Sequence, residues 1–180
     1  MSVILKEEFT MVKVAAVLTD LFEDSEFFSP KEALEEAGHE VVSIGPEAGQ
    51  TITGKTEAKT HVLDKGIDDV KAEDFDAILI PGGYSPDQLR KDDRFVDFAR
   101  YFAEKELPIF TICHGPQLLV NADVLRGKDA TAVKQCAVDV KNAGGNYLDQ
   151  EVVIDKSGLI TSRTPEDLPA FNKAITDALK

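Results

Sequence analysis

The feature that most constrains this chain is a set of short, predominantly apolar runs at residues 12–18, 77–80 and 108–112, separated by stretches with helical spacing. Such a run lacks a polar face, so it reads as a strand covered on both sides. Strands of this kind line up in a parallel sheet, and the intervening helices cover its two faces.

The rest of the chain follows the same alternation. Residues 24–28 read as a separate turn, after which Ser29, Pro30 and Glu32 fit the N-cap, first and third positions of a helix that Gly38 closes. Residues 40–44 read as a second strand, and residues 52–63, with Gly54 at the turn, as a hairpin. Pro81, Gly82 and Gly83 stop the strand at 77–80. Residues 87–103 are amphipathic at helical spacing, with Leu89, Phe95, Phe98, Ala99 and Phe102 on the apolar side. After the strand at 108–112, residues 115–120 begin a helix, residues 130–133 a strand and residues 136–143 a helix ended by Gly144 and Gly145. Residues 152–155 and 159–162 form a hairpin, and Thr164, Pro165 and Asp167 cap a last helix that turns Leu168, Phe171, Ile175 and Leu179 inward. The expected architecture is a single α/β domain over residues 12–180, a mostly parallel sheet with helices on both faces, preceded by an extension at residues 1–11.

Charge and length exclude several roles. Twenty basic residues against thirty-three acidic ones leave a net charge of −13, with no basic cluster to track a phosphate backbone, so neither nucleic acid nor an anionic membrane is an expected partner. No apolar run approaches the roughly 20 residues of a membrane helix, and residues 1–10 lack the pattern of a signal peptide. Two cysteines make no disulfide framework, which fits free thiols in a reducing cytoplasm.

Open α/β sheets place their sites at the carboxyl ends of the strands. At one such end Thr111 and Ile112 run into Cys113, His114, Gly115 and Pro116. This is a nucleophile elbow with cysteine as the nucleophile, and the helix that follows turns its free N–H groups toward the sulfur, which favours the thiolate. Gly82 and Gly83 end the neighbouring strand, where backbone N–H groups could hold an oxyanion. A third strand end carries Phe22, Glu23 and Asp24. Cys136 reads as a packing residue of its helix, and Arg163 as either a cleft residue or the anchor of a terminus. His39 and His61 have no ligand-spaced Cys or carboxylate, so neither a metal site nor a cofactor is expected.

Together these residues resemble the ThiJ/PfpI family, in its PfpI-like branch. The resemblance rests on Phe22, Glu23 and Asp24; Thr53, Gly54 and Lys55; Pro81, Gly82, Gly83 and Pro86; Ile112 through Gln117; and Ser162 through Pro165, in the family's order and at about its spacing. It implies a flavodoxin-like, class I glutamine-amidotransferase-like fold. It further implies Cys113 as nucleophile, Glu23 as the carboxyl group contacting it, and an oxyanion hole from the N–H groups of Gly83 and His114. His114 becomes the general base or acid, oriented across a subunit boundary by Asp87 of a homo-oligomer, a dimer or a hexamer. Hexameric peptidases of the branch carry Glu where this chain has Asp87, whose shorter side chain weakens that contact, and peptidase-like members carry Tyr near the cleft where it has Val133, a lost hydroxyl that favours the stress-protein subgroup. The implied activity is cofactor-independent chemistry on small carbonyl compounds or on glycated proteins and peptides. Peptide hydrolysis is the rival within the family, and a redox sensor or holdase using an oxidisable Cys113 the rival outside it.

Overall fold

The computed structural model describes residues 8–180. Residues 1–7 of the expected extension therefore lie outside the described residues. In chain order the elements are β1 (Lys13–Val17), α1 (Asp24–Glu36), β2 (Glu40–Gly45), β3 (Thr51–Thr53), β4 (Thr60–Val62), β5 (Lys65–Gly66), β6 (Ala77–Ile80), α2 (Ser85–Leu89), α3 (Asp93–Glu104) and β7 (Ile109–Ile112). Then follow α4 (Pro116–Asn121), β8 (Asp129–Ala130), α5 (Ala137–Asn142), β9 (Asn146–Tyr147), β10 (Val153–Ile154), β11 (Leu159–Ser162) and α6 (Leu168–Ala178).

The main sheet runs β10-β11-β7-β6-β1-β2-β5, and only its edge pair β10–β11 is antiparallel. The apolar runs thus lie at its centre, buried on both faces. In β1, Val14 and Ala16 face Phe27, Leu34, Phe171 and Ile175 of α1 and α6. Ala15 and Val17 point the other way, to Phe95, Phe98, Phe102, Leu118 and Leu119 of α3 and α4. Burying one such Phe or Leu stabilises the fold by roughly 1.5–3 kcal/mol, so this two-sided packing outweighs local propensity where they conflict. No helix among the described residues is long and apolar enough to cross a membrane.

One such conflict corrects the expected helix start at Ser29. The helix begins at Asp24, passes through Ser29 and carries Pro30 in its interior, so residues 24–28 are its first turns and not a separate turn. Pro30 cannot donate to the carbonyl of Glu26. Burial of Phe27, Pro30 and Leu34 along one face keeps the helix intact past that gap. The expected helix over 87–103 is likewise two helices. Asp92 breaks it by accepting the Arg94 N–H at 3.0 Å and so capping α3. Of the strand expected at 130–133 only Ala130 is retained, as the second residue of β8. Thr164 makes no side-chain cap; a 3-10 turn at Pro165–Asp167 leads into α6 instead.

Candidate active site

Cys113 follows the last residue of β7 with φ of +62°, a left-handed backbone that a non-glycine residue adopts only when its neighbours hold it there. Here they do: the Cys113 N–H donates to Ser162 O at 3.1 Å, and its carbonyl accepts the Val133 N–H at 3.1 Å. Gly115 makes the turn that follows. A Cβ there would overlap Thr111 Oγ1 and come within 2.6 Å of Ile80 O. The sulfur is left half-buried at the carboxyl end of β7, beside the end of β6.

The carboxyl group set against this sulfur belongs to Glu26, not to Glu23, which corrects the expectation. Glu26 sits on the first turn of α1 and is fully buried; its Oε1 accepts the Gly82 N–H at 3.0 Å. Its Oε2 is buried with no hydrogen-bond partner, and the Glu26 side chain raises the proton affinity of Cys113. Burial, and then the nearby Glu23 charge, push Glu26 up to about 8. Burial and then the Glu26 charge push the Cys113 thiol up, against the help of the His114 backbone N–H. At neutral pH the pair therefore keeps a proton on the carboxyl group. Burial thus opposes the thiolate that the N–H groups after the elbow favour.

Glu23 instead caps the loop that leads from β3. Its Oε2 accepts the Thr56 hydroxyl at 2.7 Å. Next to it Asp24, fully buried, accepts the N–H groups of Lys59, Thr56 and Glu57 at 2.9, 3.0 and 3.1 Å. Two carboxylates thus fasten the loop over the start of α1, where the Lys55 ammonium lies over the Tyr84 ring at 5.0 Å.

The N–H groups expected to hold an oxyanion lie on the two strand ends that meet here. The Glu23 N–H donates to Gly82 O and the Tyr84 N–H to Leu21 O, a bridge that bypasses the Gly83 N–H. Among the described residues neither the Gly83 nor the His114 N–H donates to an oxygen. The His114 ring is half-buried, and burial and Lys55 hold it below the usual imidazole range, with Asp87 and Asp139 opposing. Asp87 is exposed at 69% and its nearest cation is Arg90, 3.9 Å away. Cys136, read as a packing residue, is buried as expected but also lies 3.4 Å from His114 Nδ1. Arg163 anchors a terminus: it bonds Asp167 through its main-chain N–H, Nε and guanidinium, and reaches Asp149 at 3.0 Å. Among the described residues no three His, Cys, Asp or Glu side chains converge to hold a metal ion.

Glu26 escapes the sequence reading because Ser29 and Pro30 imitate a helix start downstream of it. Its signal lay in the spacing 26, 30, 34 that places it on the apolar face with Pro30 and Leu34.

Comparison with known proteins matches residues 12–178 to the model of the DJ-1/PfpI family. Protein/nucleic acid deglycase 2 of Escherichia coli (strain K12) is 56% identical over 161 residues, 89% of this chain and 94% of that one. General stress protein 18 of Bacillus subtilis (strain 168) is 53% identical over the same shares of the two chains. A two-domain protein of Anabaena variabilis with DJ-1/ThiJ/PfpI-like and ferritin-like domains superposes with a TM-score of 0.90 at 39% identity, over 93% of this chain and 48% of that one.

Proposed function

The chain belongs to the DJ-1/PfpI family, and from that premise we propose that it is a thiol enzyme acting on reactive carbonyl compounds, or on the early adducts they form with amines. Cys113 is the nucleophile and Glu26 the proton carrier. The observation that carries this reading is the buried Glu26 carboxyl group, held by Gly82 against a half-buried thiol. The names of the two relatives, a deglycase and a general stress protein, fit removal of carbonyl damage.

For a 2-oxoaldehyde, the sulfur bonds to the aldehyde carbon. The carbonyl oxygen takes the proton shared by the pair, which gives a hemithioacetal and leaves Glu26 ionised. The N–H groups of Gly83 and His114 hold the oxygen while it is negative. Glu26 then removes the C–H proton of that carbon and returns it to the adjoining ketone carbon, while the hemithioacetal hydroxyl proton passes to the ketone oxygen, producing the thioester of a 2-hydroxy acid. Water releases a 2-hydroxy acid and regenerates the thiol. One carbon is oxidised and its neighbour reduced, so no outside oxidant is required. An adduct on an amine joins at the first step, with the amine departing as sulfur takes its carbon.

The test is turnover of methylglyoxal, a freshly glycated peptide and a fluorescent peptide by the purified protein and by Cys113→Ala. The reading predicts lactate from the first and freed amine from the second, both lost in the variant. Cleavage of the fluorescent peptide alone would replace it with peptide hydrolysis. Inertness toward all three, with ready peroxide oxidation of Cys113, would replace it with a redox sensor.

A further inference from the structure

Cys136 lies outside every motif that carries the reaction, yet it touches the site. It ends a 3-10 turn at Lys134–Cys136 just before α5 and is 2% exposed, with Sγ 3.4 Å from His114 Nδ1. Two main-chain bonds tie it to the elbow: the Cys136 N–H donates to Val133 O, and the Val133 N–H donates to Cys113 O. The contact is therefore held from both sides by backbone.

Which atom carries the proton follows from the two groups. Burial, and then Asp139, push the Cys136 thiol up to about 11, so it keeps its S–H at neutral pH. Sulfur is a weak acceptor, whereas the bare nitrogen of a neutral imidazole is a good one, so S–H donating to Nδ1 is the stronger arrangement. We propose that Cys136 is a positioning residue for His114, its S–H donating to Nδ1 and holding the imidazole neutral with its proton on Nε2.

The consequence is a division of labour within the reaction proposed above, on which this part of the inference rests. With Nδ1 engaged, His114 can donate a hydrogen bond from Nε2 but has no free nitrogen to act as a base, and C–H proton removal falls to Glu26. An imidazolium has N–H on both nitrogens and would forfeit the bond from Cys136. The thiol therefore works in the same direction as burial and as Lys55 from the β3–β4 loop, against Asp87 of α2 and Asp139 of α5. Within one chain the orientation of His114 thus comes from Cys136.

Long-range proton–nitrogen correlation spectra of uniformly labelled protein read the tautomer without any substrate. His114 is assigned by the signal lost in His114→Gln, and the spectra are compared for wild type, Cys136→Ser, Cys136→Ala and Cys136→Val. Wild type and the Ser variant, which retains a donor, should show the Nε2–H tautomer. The Ala and Val variants should lose that preference, and His114 should titrate about half a unit higher, the scale of one weak hydrogen bond. Val fills the site without a donor, so a Val variant that titrates like wild type would overturn the proposal. An Nδ1–H tautomer in wild type would overturn it as well. If the spectra come out as expected while wild type fails to turn over carbonyl substrates, the positioning is supported and the carbonyl chemistry is what falls.

Discussion

The Gly82 N–H donates to Oε1 of Glu26 at 3.0 Å, and because Gly82 has no side chain this bond brings the carboxyl group right up to the nucleophile. A Cβ on Gly82 would overlap Glu26 Oε1 and come within 2.9 Å of Cys113 Cβ. The end of β6, the first turn of α1 and the elbow after β7 therefore meet at one small residue.

Gly82→Ala should accordingly displace Glu26 from Cys113. The methyl group has no space to enter, so stability should fall by about 1–3 kcal/mol, read by urea unfolding. Turnover should fall more steeply than folded fraction does. An Ala variant with wild-type turnover would show that the approach of Glu26 is not required.

The raised proton affinity of Glu26 predicts a stability that depends on pH. Unfolded, its carboxyl group ionises near 4.5; folded, it holds the proton to about 8. Its contribution is complete below the unfolded value, declines as pH rises, and is gone once pH passes about 8. Glu26→Gln keeps an acceptor for Gly82 and cannot ionise. Melting curves of the two proteins should converge near about pH 5, with the Gln variant the more stable by up to a few kcal/mol near about pH 9. Parallel curves would mean that Glu26 ionises normally.

Asp24 has the opposite sign. Burial works against its charge, but the N–H groups of Glu57, Lys59 and Thr56 outweigh it and hold the carboxyl group below its ordinary value. Its contribution is present above about pH 4 and is lost as pH falls through the depressed value. Asp24→Ala leaves those donors without their acceptor, and should cost about 2 kcal/mol or more by thermal or urea unfolding. Hydrogen exchange should quicken in residues 54–59 first. Unchanged exchange there would mean the loop is held by other contacts.

Much of this arrangement was legible in the residues because it is contiguous. Ile112, Cys113, His114, Gly115 and Pro116 show a strand, a nucleophile and a turn in five positions, and the apolar runs at β1, β6 and β7 declare a doubly covered sheet. Glu26 was not legible in the same way. Its role depends on where α1 begins, and Ser29 with Pro30 imitates a helix start that tertiary packing of Phe27 and Leu34 overrides. The contact of Cys136 with His114 joins residues 22 positions apart through an irregular turn. No spacing rule covers such a junction.

The two thiols should differ in their reaction with iodoacetamide. Cys113 is half-buried at the end of β7, while Cys136 is buried against His114. Brief labelling, read by peptide mass spectrometry, should modify Cys113 first, by about tenfold or more, and faster as pH rises toward the values where the pair loses its proton. Earlier labelling of Cys136 would contradict the elbow assignment.

The central claim is that Glu26, and not Glu23, moves the proton for Cys113, and turnover by the two Gln variants tests it most directly. With methylglyoxal or a glycated peptide as substrate, Glu26→Gln should lower kcat/KM by about a hundredfold or more, the range for loss of a positioned acid–base group. Glu23→Gln should stay within about a few-fold of wild type. Because the Glu23 charge helps to raise Glu26, its removal should mainly shift the rising limb of the pH–rate profile to lower pH. A Glu26→Gln enzyme that turns over like wild type, or a Glu23→Gln enzyme that is the one to lose activity, would contradict the account.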